Sequence, residues 1–273
     1  MPTWQESEKE FARSSRDLID RTALGHSRVA AFGGGTIGSR VVDLLERAGV
    51  GNLTVCDFDD VSIANIPRTI YSMADLDRPK AEVLAEHAAK INPLGRAIAL
   101  HGDLLAASDE TLLRLAMMHD VAVVAPDNME LHRRLNRLLH PLIPCVFTYV
   151  TDAGNAGEVI LTTPHERGCI ECLSNAAERA AAGDAGDFQA PGVDTLRVAM
   201  EATCAVLGLL LRDRKGGELY AEYVDPAFQL LLVFSRRRGP LAEALPSEVI
   251  SATVRVDTRA ARRDCPVCGT SRR

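Results

Sequence analysis

The pattern that most constrains this chain lies between residues 28 and 150, where short apolar runs alternate with amphipathic stretches of helical period. The runs at 28–33 (RVAAFG), 52–57 (NLTVCD), 96–101, 121–125 (VAVVA) and 143–150 predict buried strands. Between them, 36–48 (TIGSRVVDLLERA), 78–91, 108–118 and 128–140 space their apolar residues as amphipathic helices do. Strands joined by crossover helices run parallel, and such a sheet needs cover on both faces. The expected fold class is therefore α/β and Rossmann-like, a largely parallel sheet flanked by helices.

Past residue 150 the character changes. GEVILTT and a cysteine pair precede an Ala/Gly/Asp-rich stretch with few large apolar residues, so 173–193 reads as a mobile crossover segment. A strongly apolar helix is predicted at 194–213, and ELYAEYVD, FQLLLVFS and SATVRVD read as strands of a C-terminal antiparallel extension. Residues 1–27, polar and charged, read as an N-terminal helix or arm rather than a core element, leaving 28–273 as one continuous domain. A net charge of −6 argues against an extended nucleic-acid surface, since the arginine-rich stretches at 236–238 and 259–263 are local. No apolar run approaches the roughly 18 residues of a membrane span, and the polar start has no signal-peptide core, so a cytoplasmic location away from membranes is expected.

Candidate chemistry concentrates in two places. The first is FGGGTIG, which sets Gly33, Gly35 and Gly38 between a predicted strand and a predicted helix. Glycines there let backbone approach phosphate, and the helix N-terminus offers N–H groups and positive dipole. Asp57 ends the next strand, where a ribose-binding acid belongs. These features alone permit a nicotinamide-dependent oxidoreductase. However, Asp59, Asn65, Arg68, Lys80 and Asp127 also fall at or just beyond the predicted carboxyl ends of strands. Two cations and an amide converging there could bind a triphosphate, with an acid such as Asp127 holding Mg²⁺ between its oxygens.

The second place is the cysteines. Cys169-x-x-Cys172 and Cys265-x-x-Cys268 are two knuckles of the kind that assemble a tetrahedral thiolate zinc site, and a site with four protein ligands is structural. Cys56, Cys145 and Cys204 lie in apolar surroundings and read as core residues. His132, on the helix after Asp127, reads as a surface histidine.

The ordered set RVAAFGGGTIGSRVVDLLERAGVGNLTVCDFDDVSIANIPRTIY, RPKAEVLAEHAAKINP, APDN, GCIECL and CPVCG resembles the ubiquitin-activating-enzyme-like adenylyltransferases of the ThiF/MoeB type. The resemblance implies that Gly33, Gly35, Gly38, Asp57 and Asp59 contact ATP, and that Asn65, Arg68 and Lys80 hold its phosphates. It makes Asp127 the Mg²⁺ ligand and has an N-terminal arginine, Arg16 before Arg13, reach into the partner of a homodimer. The implied reaction adenylates the C-terminal glycine carboxylate of a ubiquitin-like or sulfur-carrier protein and releases pyrophosphate. Three departures from the family pattern stand out: Thr36 in the glycine turn, Thr69 after the arginine, and Pro126 before Asp127.

Some members of that family pass the adenylate to a cysteine in the crossover segment. Residues 173–193 contain none, which favours adenylation alone, with Cys204 the remaining candidate for a thioester. Further alternatives are a bacterial ubiquitin-like conjugation system with a separate conjugating enzyme, a sulfurtransferase partner, a peptide-modifying pathway and a non-catalytic scaffold.

Overall fold

A computed structural model describes residues 6, 10, 11, 13, 15, 18–151, 156–164, 168–173, 192–225, 228–234, 252–257 and 265–268. The segment 173–193 and the arginine Arg16 therefore lie almost wholly or wholly outside the described residues.

The alternating pattern forms the expected elements. In chain order they are α1 (Arg21–His26), β1 (Arg28–Phe32), α2 (Thr36–Ala48), β2 (Asn52–Asp57), α3 (Lys80–Ile91), β3 (Arg96–His101), α4 (Asp109–Met117), β4 (Val121–Val124), α5 (Met129–Leu139) and β5 (Cys145–Thr151). There follow β6 (Ala156–Thr162), α6 (Ile170–Leu173), α7 (Gly192–Leu210), α8 (Ala221–Val224), β7 (Phe228–Phe234) and β8 (Ala252–Asp257).

The eight strands among the described residues join one sheet in the order β3-β2-β1-β4-β5-β6-β7-β8. The first five run parallel, with Phe32 opposite Cys56 on one side and Val124 on the other. From β5 onward the pairing is antiparallel, beginning with Cys145 opposite Thr162, so the predicted C-terminal extension continues the sheet.

Strand alternation divides the core into two. Val29, Ala31, Val121, Val123 and Val146 point to one face, where residues of α2, α3 and α7 cover them. Ala30, Phe32, Ala122, Val124 and Phe147 point to the other, beneath α4 and α5. A strand with period two must place neighbours on opposite faces, which is why these strands read as continuous apolar runs.

Two expectations need correction here. ELYAEYVD is not a strand: Gly217–Tyr220 forms a 3-10 turn and Ala221–Val224 a helical turn. Tyr220, Tyr223 and Val224 recur at helical spacing and pack onto the core alongside α7, so the period of the contact is that of a helix. The stretch 1–27 is also more than an arm, because Ile19 and Leu24 are buried in the core and Asp20 caps α1, accepting from Ala23 N at 2.9 Å. Among the described residues no helix is long and apolar enough to cross a membrane.

Candidate nucleotide site

The chain leaves β1 toward β2 on one side and returns to β4 on the other. The loops after β1 and β4 diverge at such a switch point, and the crevice between them is the usual ligand position in open α/β sheets.

Gly33 turns out of β1 with φ 98°, a left-handed value that side chains rarely tolerate. A Cβ there would also lie 2.7 Å from Pro126 N, so the loops after β1 and β4 touch at this residue. At Gly38 a Cβ would come within 1.9 Å of Gly33 O, which means that the first turn of α2 rests directly on the loop. Gly35 differs. It is the N-cap of α2, has no capping side chain, and a Cβ on it would meet nothing within 4 Å. The turn is closed where backbone meets backbone and open over the positive end of the helix.

Asp57, buried at the end of β2, accepts from Gly34 N at 2.5 Å through Oδ2 and from Asp59 N at 2.8 Å through Oδ1. Burial raises its pKa above the usual carboxylate value, with the two backbone donors and the Lys80 charge pulling the other way. Lys80, the first residue of α3, is itself buried and places Nζ 2.6 Å from Asp59 Oδ2, on the more exposed carboxylate of the group.

Asn65 lies within a 3-10 turn, Ile63–Arg68, and its Oδ1 accepts from Ser62 N at 2.9 Å and Ser62 Oγ at 3.1 Å. Arg68 ends that turn, partly buried against the start of α7: a Cβ on Gly192 would fall 2.6 Å from Pro67 O and 2.9 Å from Arg68 Cα. Thr69, one of the departures, is buried; its Oγ1 donates to Asn65 O at 2.8 Å and accepts from Tyr71 N at 3.3 Å. Asp127 follows β4 with its side chain exposed, and the next residue, Asn128, caps α5 by accepting from Leu131 N at 2.9 Å.

His132 is not the surface residue that the sequence suggests. It is buried, its Nε2 lies 2.8 Å from Pro126 O, and its ring stacks on Tyr149 with centroids 4.4 Å apart. Helix α5 turns this position inward onto the sheet, and burial pulls the imidazole down to about 4, so it stays neutral at physiological pH.

Two contributors escaped sequence reading. Gly34 holds the Asp57 carboxylate with its N–H, and its carbonyl accepts from Tyr71 OH at 2.6 Å. The run of three glycines signals an unusual turn without saying which peptide is gripped, and nothing local marks Tyr71. Of the arginines expected to act on a partner subunit, Arg16 lies outside the described residues, and Arg13 is exposed, 3.4 Å from Glu10.

The four knuckle cysteines converge as the spacing requires. Cys169 Sγ lies 3.5 Å from Cys265 Sγ and Cys172 Sγ 3.3 Å from Cys268 Sγ, with all four sulfurs within 4.8 Å of one another. No pair is a disulfide, and four thiolates around a zinc ion at about 2.3 Å would stand about 3.8 Å apart, so the donor set fits that metal. Helix α5 supports the first knuckle: Asn136 Oδ1 accepts from Ile170 N at 3.3 Å and Arg133 Nε lies 3.6 Å from a Glu171 carboxylate oxygen.

The remaining thiols sit where burial disfavours the thiolate. Cys56 and Cys145 are fully buried, and burial pushes each up to about 12. Cys204 is half-buried and hydrogen-bonded to Tyr223, and its thiol too is raised by burial.

A doubly wound sheet with a glycine turn at its switch point, an acid ending β2 and a buried lysine paired to Asp59 beside it defines a nucleotide-binding protein of the Rossmann-like class. Residues 11–213 match the ThiF family, and the chain belongs to it. It is 32% identical over 176 residues to the sulfur carrier protein ThiS adenylyltransferase of Escherichia coli, covering 61% of this chain and 68% of that one. With the molybdopterin-synthase adenylyltransferase of the same organism it shares 36% over 138 residues, 48% of this chain and 54% of the relative. The Bacillus subtilis ThiS adenylyltransferase matches at 26% over 252 residues, 90% and 66% of the two chains. This chain thus spans between about half and two thirds of the length of these relatives. Among solved structures, E. coli MccB with ATP superimposes with a TM-score of 0.70 at 18% identity, covering 91% of this chain and 68% of MccB. At that identity the likeness speaks for the fold.

Proposed function

We propose that this protein is an ATP-dependent adenylyltransferase that activates the C-terminal glycine carboxylate of a ubiquitin-like or sulfur-carrier protein. The observation that carries the reading is the carboxyl-edge constellation itself, an open glycine turn at a helix N-terminus with Asp57, Asp59 and Lys80 hydrogen-bonded beside it. Membership of the ThiF family and the adenylyltransferase relatives support it.

In this reading Gly33, Gly35 and Gly38 shape the phosphate turn while Asp57 and Asp59 face the ribose. Asn65, Arg68 and Lys80 bind the triphosphate, which requires Lys80 to exchange its Asp59 partner for phosphate oxygen. Asp127, exposed at the crevice, would hold Mg²⁺, an ion that is usually bound by one or two carboxylates plus substrate phosphates. The carrier carboxylate bonds to the α-phosphorus as the bond to the bridging oxygen breaks, and pyrophosphate leaves. Arg68 and Lys80 neutralise the charge that builds on that leaving group, so catalysis is mostly positioning and electrostatics. The four cysteines would hold a structural zinc that pins residues 265–268 to α5 and α6. A homodimer with Arg16 lent to the partner's site, and a cytoplasmic location where ATP is present and thiols stay reduced, complete the proposal.

The environments of Cys56, Cys145 and Cys204 support adenylation without a thioester, since none is placed or activated as a nucleophile. Thermal stabilisation by ATP with Mg²⁺, compared with NAD, tests the reading on wild type and Arg68→Ala. Stabilisation by ATP that weakens at least tenfold in concentration dependence in the variant is expected, as fits loss of charged hydrogen bonds worth about 1.5–3 kcal/mol. Stabilisation by NAD alone would return the chain to the oxidoreductases.

A further inference from the structure

The two loops assigned above to phosphate come from different parts of the sheet edge, and one side chain joins them. Tyr71 follows the Asn65–Arg68 turn by three residues, is buried in the core, and donates its hydroxyl to Gly34 O at 2.6 Å. The same Gly34 offers its N–H to Asp57 at 2.5 Å, so both polar groups of this residue are held by side chains from two separate elements. Gly34 is itself buried, and a Cβ on it would meet Leu84 at 2.8 Å and the Tyr71 oxygen at 3.1 Å, so the peptide has little room to rotate. On the other side of Tyr71, Thr69 fixes its backbone N–H and the carbonyl of Asn65.

From this chain of contacts we infer that Tyr71 is a positioning residue for nucleotide binding, whose hydroxyl sets the Gly34–Gly35 peptide and locks the Asn65–Arg68 turn in register with the glycine turn. The inference rests on the nucleotide reading proposed above and goes beyond it in naming a residue that touches no phosphate. Its physical basis is that Gly35 lies in open space and has no packing of its own, so only Gly34 upstream and α2 downstream define where its N–H points. Without the hydroxyl, the buried Gly34 carbonyl loses its partner and the two loops are no longer tied.

The test compares ATP with Mg²⁺ and AMP by titration calorimetry on wild type, Tyr71→Phe, Thr69→Val and the core control Ile143→Val. ATP spans both loops and AMP reaches less of them. Tyr71→Phe is expected to weaken ATP about three- to tenfold and to lower the ATP-to-AMP affinity ratio at least threefold, with Thr69→Val showing the same signature. Ile143→Val loses some stability but keeps the ratio, which separates positioning from general destabilisation. If wild type binds ATP and both hydroxyl variants keep its affinity and ratio, the positioning role is overturned alone. If wild type binds no ATP, the functional reading falls, and this inference falls with it.

Discussion

Glu46 is a buried acid that should make the stability of this fold fall as pH rises from mildly acidic to about 8. It lies in the last turn of α2, only 1% exposed, between that helix and the 92–95 turn, where a Cβ on Gly95 would sit 3.3 Å from its Oε2. Burial is the main cause that lifts its pKa from the usual 4.5 to about 8, the Asn92 amide offsetting part of the effect. The negative end of the α2 dipole acts in the same direction as burial. The sign follows from linkage: a carboxyl whose folded pKa is raised keeps its proton when folded and loses it when unfolded, so stability falls as pH rises from about 4.5 to about 8 and is level above that. At about 1.4 kcal/mol per pH unit, with the slope tapering near each pKa, the loss between pH 5 and pH 8 amounts to about 3–4 kcal/mol. Glu46→Gln removes the titration and keeps the shape, so its advantage over wild type should grow by about that amount across the same range. Urea unfolding of both proteins from pH 5 to pH 9 measures the difference. The comparison cancels His132, whose depressed pKa costs both proteins stability as pH falls from 6.5 toward about 4. Parallel stability curves, with a change below about 1 kcal/mol, would refute the argument that Glu46 is held uncharged.

Two further perturbations test the site and the metal. Gly38→Ala should destabilise the protein by about 1–3 kcal/mol in urea, because its Cβ would overlap Gly33 O, whereas Gly35→Ala should stay within about 1 kcal/mol of wild type yet bind ATP more weakly, because its Cβ enters open space. Elemental analysis should find one zinc per chain, and Cys172→Ser should lower both zinc content and thermal stability; a zinc-free protein with unchanged melting after chelation would rule out the structural metal.

Much of this was legible in the chain because it is written locally. Alternating apolar runs predicted parallel strands, and spacing alone predicted the tight turn at Gly33 and Gly38, the strand end at Asp57 and the convergence of the two cysteine knuckles. Spacing failed where packing chose between periods or sides. ELYAEYVD holds enough aromatic and apolar residues to read as a strand, but α7 offers a surface that Tyr220, Tyr223 and Val224 meet only at helical spacing. His132 looked polar and exposed within a charged helix, yet α5 lies so that this position faces Tyr149.

What the sequence determined by itself was the fold class and the sheet edge that carries Gly33, Asp57 and Asp127, since strand direction and connection length leave few other arrangements. Tertiary structure alone decided which groups meet there. Tyr71 reaches Gly34 across 37 positions and Lys80 reaches Asp59 across 21. A hydrogen bond depends on distances of a few ångströms in space, and these residues, far apart along the chain, carry no local mark of it until the sheet brings them together.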